Sequence, residues 1–183
     1  MKILAVTGNY GTKNLSYLLQ VINEIRKWPH EVDIIVHTDI PTGIAGVKEV
    51  IVDCPPIEIL GSTWKTILEN KGKYDLYIFF ENDVLITSCN IESWLKCRQL
   101  IQLPYIIGFF EYEKYPDGKI WYQAHHMYYD FDKETIFHLG DYVLCNHTNL
   151  HQGCFVFDNE LLDYIVAHPQ PKTWTGFNHP SDA

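Results

Sequence analysis

The first 38 residues alternate between apolar runs and a helical pattern, and this alternation limits the fold more than any other feature of the chain. The segment Lys2–Thr7 is a short apolar run that stops at Gly8. Apolar residues in Asn14–Trp28 recur at helical spacing, and Val32–Thr38 is a second apolar run rich in β-branched residues. A strand, a helix and a strand with short links predict a right-handed βαβ unit, and hence a parallel sheet.

The rest of the chain continues this pattern and then becomes mixed. Further strands are predicted at Val47–Val52 and Tyr74–Phe80, with a helix over Ser62–Asn70 between them. In the second half, a helix is predicted at Ile91–Gln102 and a strand at Tyr105–Phe110. A turn at Pro116–Gly118 leads into a hairpin strand at Ile120–Tyr129. A short strand at Gly153–Phe157 and a last helix at Asn159–Ala167 follow. The predicted fold class is therefore α/β with a mostly parallel central sheet.

The composition fits one compact domain and excludes some partners. The chain has 183 residues, of which 46% are hydrophobic, so a sizeable core can be buried. It carries 14 Lys+Arg against 23 Asp+Glu, a net charge of −9, which argues against nucleic-acid binding through a general basic surface. We find no apolar stretch of about 18 residues that would span a membrane. The five cysteines are odd in number and widely spaced, which favours reduced thiols and a cytoplasmic location.

The strongest chemical signal is the acidic motif Glu81-Asn82-Asp83, which directly follows the predicted strand Tyr74–Phe80. In open α/β sheets, ligands bind outside the carboxyl ends of the strands. Two carboxylates at positions i and i+2 suit a hard cation such as Mg²⁺ or Mn²⁺, which would bridge the phosphates of a nucleoside diphosphate. The alternative is a polar turn in which Asp83 caps the next segment, and the spacing alone does not separate the two.

Two other loops are expected at the same edge of the sheet. The first predicted strand runs into Thr7-Gly8-Asn9-Tyr10-Gly11. Glycine there would let a ligand approach the backbone, and Tyr10 could stack on a base. The third glycine of a dinucleotide fingerprint is missing, because Asn14 occupies that position. Thr38 and Asp39 end the second strand, where an acid can accept hydrogen bonds from a ribose or a base. An ordinary strand-to-helix turn or cap explains either loop equally well.

Two further patterns carry weaker signals. Two cysteines and two histidines late in the chain could bind zinc, namely Cys145, His147, His151 and Cys154. Their spacing matches no common zinc module, so a polar acceptor loop is the preferred interpretation. Tyr115 and Lys119 have the Y-x-x-x-K spacing of dehydrogenases. Because Pro116 and Gly118 lie between them, the helical turn that would align this pair is excluded.

Taken together, these residues resemble the GT-A family of glycosyltransferases. The resemblance lies in the strand and loop Met1–Gly11, the strand ending in Thr38 and Asp39, and the strand leading into residues 81–83. The family motif is usually D-x-D or E-D-D. Here the first position is Glu and the middle one is Asn, while the last acid is kept as Asp83. Residues 108–113 and 151–157 further resemble a chlorella virus group of these enzymes.

The resemblance implies a UDP-sugar donor and Mn²⁺ or Mg²⁺ as cofactor. It implies a mixed, mostly parallel sheet of about six strands flanked by helices, with residues 1–88 as the nucleotide-binding half and 89–183 as the acceptor and sugar half. It also implies that this domain is part of a longer polypeptide. The expected reaction moves a hexose or 6-deoxyhexose from UDP-glucose or UDP-rhamnose to a glycan or glycoprotein acceptor, in capsid glycosylation within the host cytoplasm.

The resemblance also suggests roles for individual residues. Asp83 is the expected metal ligand, Glu81 supports it, and His151 or His179 supplies a further ligand. The expected contacts to the nucleotide are Thr7, Gly8, Asn9, Tyr10, Thr38, Asp39 and Asn82. The catalytic candidates are Glu111, Asp141 and Gln152, with Asp117 as another possible base. Whether the enzyme inverts or retains stays open, as does the alternative of a non-catalytic module that binds a UDP-sugar or a glycan.

Overall fold

A five-stranded sheet forms the centre of the protein. The structure, a computed structural model, describes residues 1–103, 105–109, 111–122, 131–140, 142–147 and 153–168. In chain order its elements are β1 (Lys2–Asn9), α1 (Leu15–Ile25), β2 (Glu31–Thr38), β3 (Lys48–Ile51), α2 (Pro56–Glu69), β4 (Leu76–Glu81), α3 (Ser88–Leu100), β5 (Tyr112–Lys114), β6 (Ile120–Tyr122), β7 (Phe131–Leu139), β8 (Tyr142–His147), β9 (Cys154–Asp158) and α4 (Asn159–Ala167).

The central sheet is mostly parallel, as predicted. Its strand order is β3-β2-β1-β4-β9, in which β1 to β4 pair in parallel and β9 pairs antiparallel with β4. The described residues place five strands in this sheet rather than about six. The pairs β5–β6 and β7–β8 form separate two-stranded sheets.

The strand order reverses direction beside β1. The connection from β1 through α1 leads to β2 on one side, whereas the connection from β3 through α2 crosses to β4 on the other. Because such crossovers are right-handed, α1 and α2 cover opposite faces of the sheet. The carboxyl ends of β1 and β4 therefore flank the topological switch point, where α/β sheets bind ligands.

The central strand β1 is buried on both faces. Its residues Ile3, Leu4, Ala5 and Val6 are fully buried, which explains why this strand appears in the sequence as a continuous apolar run rather than an alternating one. On α1, the buried side chains are Leu18, Val21, Ile22 and Ile25, the helical stripe that the spacing predicts. This burial anchors β1 at the centre of the fold, with its carboxyl end at Asn9.

Helix α2 begins earlier than predicted. It starts at Pro56 rather than at Ser62, with proline in the first turn, where its missing N–H costs nothing. Ser62 is not the N-cap but lies inside the helix, where its Oγ is 2.8 Å from Nδ1 of the buried His37. The first turns of α2 consequently reach the carboxyl edge of the sheet.

Other predictions for the second half have mixed outcomes. The strand predicted at Tyr105–Phe110 is wrong for residues 105–109, which have no regular structure. The β7–β8 hairpin was not predicted. The predicted strand Ile120–Tyr129 is found as β6 over Ile120–Tyr122. The rest of it lies outside the described residues. Helix α4 is confirmed at its predicted bounds, and the side chain of Asp158 caps it by accepting a hydrogen bond from Leu161 N at 2.7 Å.

Two observations concern membrane-spanning helices and disulfides. None of the described helices is long and apolar enough to cross a membrane. All five cysteines are free thiols in the structure.

Gly8 lies where α2 packs closely on β1, and we expect Gly8→Ala to destabilise the fold. A Cβ atom at residue 8 would lie 2.5 Å from Ile59 Cγ2. The resulting overpacking should lower the free energy of unfolding by about 1–3 kcal/mol, measured by urea denaturation. Gly61→Ala in α2 is the matched control, because a Cβ there meets nothing within 4 Å. It should stabilise the protein by about 0.5–1 kcal/mol. Equal stability of the Gly8→Ala variant and the parent would contradict this packing.

Candidate functional site

A pocket of about 290 Å³ lies in the crevice between the ends of β1 and β4. It is lined by the loops that follow these strands and by the first turns of α2, through Gly8, Asn9, Tyr10, Asn14, Pro56, Ile59, Leu60, Phe80, Glu81, Asn82 and Asp83. The glycine loop (residues 7–11) and the acidic motif (residues 81–83) are far apart in the sequence. They thus share one pocket at the switch point of the sheet.

Three asparagines hold the two loops together. Asn82 Nδ2 donates to Asn9 Oδ1 at 2.9 Å, and Asn14 Nδ2 donates to Asn82 Oδ1 at 3.2 Å. The same Asn14 nitrogen lies 3.3 Å from Asp83 Oδ2. Asn9 is only 1% exposed, so its amide is a structural bridge as well as part of the pocket wall. The asparagines therefore fix the position of Asp83 relative to the end of β1.

Thr38 and Asp39 support the glycine loop from behind. Thr38 is fully buried, and Asn9 Nδ2 lies 3.5 Å from its Oγ1 and 2.9 Å from the carbonyl oxygen of Gly11. Asp39 Oδ1 accepts a hydrogen bond from Gly11 N at 2.8 Å. Gly11 has a φ of +62°, which suits glycine. Thr38, Asp39 and the buried Thr7 do not line the pocket, whereas Gly8, Asn9, Tyr10 and Asn82 do.

Three carboxylates concentrate negative charge beside the pocket. Burial, together with the nearby Glu111 and Asp83 carboxylates, raises the pKa of Glu81 to about 7. Among the described residues, no cluster of three or more His, Cys, Asp or Glu side chains is arranged to hold a metal. Mg²⁺ is commonly bound through one or two carboxylates plus substrate phosphates. The carboxylate oxygens of the acidic motif would therefore fit a metal that arrives with a diphosphate.

Glu111 is attached to the acidic motif through Gly153. Its Oε1 accepts a hydrogen bond from Gly153 N, and the carbonyl oxygen of Gly153 accepts one from Glu81 N at 2.7 Å. A Cβ atom at residue 153 would lie 2.6 Å from Val84 Cγ2 and would also meet the Glu111 carboxylate. Glycine at this position therefore allows Glu111, a predicted catalytic residue, to lie next to Glu81.

No other predicted site residue is described in this pocket. Asp141, His151, Gln152 and His179 lie outside the described residues. Asp117 is in the β5–β6 turn, where its carboxylate pairs with Lys119 Nζ at 3.0 Å, and it does not line the pocket.

The zinc alternative receives no support from its described cysteines. Cys145 lies in β8, and Cys154 lies buried in β9. Among the described residues, neither cysteine belongs to a group of three or more side chains that could hold a metal.

Two parts of the site were not identified from the sequence. Asn14 occupies the N-cap position of α1, but its side chain makes no capping hydrogen bond and instead bridges to Asn82 and Asp83. Pro56, Ile59 and Leu60 line the pocket from α2. The signal that could have revealed them is proline at the first helical position, which would have moved the predicted start of α2 to Pro56.

Three solved structures share parts of this α/β arrangement. A structure of S. aureus TarS 1-349 is 14% identical with a TM-score of 0.47, covering 90% of this chain and 49% of that one. Another S. aureus TarS structure is 13% identical with a TM-score of 0.39, covering 54% and 20%. The 4-diphosphocytidyl-2C-methyl-D-erythritolsynthase from Anaerococcus prevotii DSM 20548 is 12% identical with a TM-score of 0.44, covering 98% and 80%.

This chain thus spans about a fifth and about half of the two TarS structures. No family model and no curated protein matches it. Because all three TM-scores lie below 0.5, the functional assignment rests on the protein's own pocket.

The raised pKa of Glu81 predicts a stability gain for Glu81→Gln that depends on pH. The pKa rises from an ordinary 4.5 to about 7 on folding, so protonated Glu81 contributes stability that is lost as the pH rises from 4.5 through 7. Glutamine stays neutral at every pH. Without divalent metal, the free energy of unfolding of Glu81→Gln should therefore increasingly exceed that of the parent as the pH rises from 4.5 through 7. This difference should level off at about 3 kcal/mol or less above pH 8.

The measurement is urea denaturation at pH 4.5 and pH 8. Glu92→Gln, at an exposed position on α3, is the matched control and should show no such growth. The assignment of Glu81 would be wrong if the two variants had the same pH dependence.

Proposed function

We propose that the protein is a metal-dependent glycosyltransferase of the GT-A type that binds a UDP-sugar in the pocket between β1 and β4. The observation that carries this proposal is the position of Asp83 at the switch point, in one pocket with the Gly8–Tyr10 loop. The carboxyl edge of a parallel sheet, an oxygen-rich acidic motif and an exposed aromatic ring are the parts that a nucleoside diphosphate needs.

The nucleotide would lie along the glycine loop. Tyr10 lines the pocket and is 51% exposed, so its ring is available to stack on uracil. The first turns of α2 also line the pocket, and a helix N-terminus favours the negative charge of phosphate. Asp39 and Asn9 would act indirectly, because their side chains hold the loop in the conformation that the nucleotide contacts.

Asp83 is the proposed metal ligand, with Glu81 in support. The site is compatible with such a metal because its described donors are oxygens and because Glu111 and Asp83 both crowd negative charge around Glu81. A bound Mn²⁺ or Mg²⁺ would neutralise the diphosphate and stabilise it as a leaving group. Asn14, through its contact with Asp83 Oδ2, would hold that carboxylate in place. His151 or His179 is the proposed further ligand.

Glu111 is the proposed base if the reaction inverts the anomeric carbon. Such a base must reach the acceptor hydroxyl. The Gly153 N–H donates to the Glu111 carboxylate and orients it next to the acidic motif. Asp141 and Gln152 remain proposed contributors. A retaining reaction needs no such base. The proposed donors are UDP-glucose and UDP-rhamnose, the proposed acceptor is a glycan or glycoprotein, and capsid glycosylation in host cytoplasm is the proposed setting.

A thermal-shift screen tests the proposal directly. Nucleoside diphosphates and UDP-sugars would be added with and without Mn²⁺. Selective stabilisation by UDP compounds together with Mn²⁺ is expected, because a ligand that binds only the folded state raises the melting temperature. Stabilisation with no release of sugar in a hydrolysis assay would instead indicate a non-catalytic binding module. The absence of any shift with UDP and metal would contradict the proposal.

Asp83→Ala should abolish the metal-dependent part of UDP binding while the domain stays folded. Titration calorimetry with UDP, with and without Mn²⁺, measures the effect, and far-UV circular dichroism checks the fold. Asp53→Ala is the matched control, since Asp53 is an exposed acid just after β3 that does not line the pocket. If Asp83→Ala kept the Mn²⁺ dependence of the parent, another residue would be the ligand.

A further inference from the structure

The β5–β6 hairpin presents two aromatic rings and a carboxylate on one exposed face. Glu113 pairs directly with Trp121 across the hairpin, and directly opposed residues point to the same side. Tyr115, two residues after Glu113, lies on that side too, and the nearby Glu113 carboxylate raises the pKa of its hydroxyl. Trp121 is 62% exposed and Tyr115 is 47% exposed. We call Glu113, Tyr115 and Trp121 the aromatic face.

The turn of the hairpin holds this face in shape. Tyr115 N donates to Lys119 O, and Gly118 N donates to Tyr115 O, both at 2.9 Å. Gly118 has a φ of +84°, the left-handed conformation that such a three-residue hairpin turn requires. The rings are therefore presented by a closed turn rather than by a loose loop, which lowers the entropic cost of binding.

The base of the hairpin joins the nucleotide site. Glu111 directly precedes β5, and it contacts Gly153 N, whose carbonyl oxygen in turn accepts a hydrogen bond from Glu81 N. A molecule lying on the hairpin could thus extend towards the acidic motif. The aromatic face begins at Glu113, two residues along the chain from Glu111.

We propose that the aromatic face binds the acceptor as a neutral sugar chain. The pyranose C–H face would stack on Trp121 and Tyr115, and Glu113 would accept a hydrogen bond from a sugar hydroxyl. This assignment of the sugar as acceptor rests on the proposed glycosyltransferase function.

The chemistry of the face favours this occupant over others. A purely apolar partner would remove water from the exposed Glu113 carboxylate without offering it a hydrogen-bond donor, which is costly. A polyanion is disfavoured by Glu111 and Glu113 and by the net charge of −9. A neutral sugar offers both an apolar C–H surface and hydroxyl donors, so it matches the rings and the carboxylate together.

Trp121→Ala tests this proposal, with an array of neutral oligosaccharides as the probe. The parent protein should bind glycans on the array, and Trp121→Ala should weaken that binding about tenfold through loss of the stacking surface. Trp121→Phe keeps a ring and should restore most of the binding. Tyr112→Ala is the matched control, because Tyr112 is 57% exposed on the opposite face of the same hairpin.

The outcomes separate this proposal from the proposed function. In Trp121→Ala, the stabilisation by UDP with Mn²⁺ should be unchanged, because the nucleotide pocket is intact. Binding of no glycan by the parent, or equal losses in Trp121→Ala and Tyr112→Ala, would overturn the acceptor proposal even if UDP binds. Concentration-dependent dimerisation in analytical ultracentrifugation that Trp121→Ala abolishes would also overturn it, by assigning the face to a second copy of the chain.

Discussion

The parallel pairing of β1 with β2 on one side and β4 on the other is the constraint on which the rest of the structure depends. The register places Gly8 beside Glu81 and Asn9 beside Thr38. The glycine loop, the acidic motif and the end of β2 must therefore meet at one edge. The pocket follows from this pairing, since the connection from β1 leads to β2 on one side and the connection from β3 crosses to β4 on the other.

The middle residue of the acidic motif has a physical explanation within this arrangement. Asn82 uses its amide nitrogen to donate to Asn9 and its amide oxygen to accept from Asn14. A carboxylate at this position could accept but could not donate, and it would add charge next to Glu81 and Asp83. The departure from an all-acidic motif thus supplies the bridge that joins the loops after β1 and β4. The acids on either side are the ligands proposed for a cation.

Much of this arrangement could be predicted from sequence, because it depends on local patterns. The βαβ unit and the strand before Glu81 are encoded in apolar periodicity, and ligand sites of parallel sheets lie at a known edge. The start of α2 is not evident from apolar periodicity, because Pro55 and Pro56 interrupt that pattern although Pro56 forms the first turn of the helix. The supporting roles of Thr38, Asp39 and Asn14 depend on hydrogen bonds between distant segments, which periodicity does not reveal. The same is true of the contact between Glu111 and Gly153.

The most direct test of the central claim is anomalous scattering from crystals of the protein grown with UDP and Mn²⁺. The proposed site predicts a manganese peak bonded to the Asp83 carboxylate and to the diphosphate, in the pocket between β1 and β4, at about 2 Å from the ligating oxygens. UDP bound in that pocket with no manganese at Asp83, or manganese bound at a different group of residues, would contradict it.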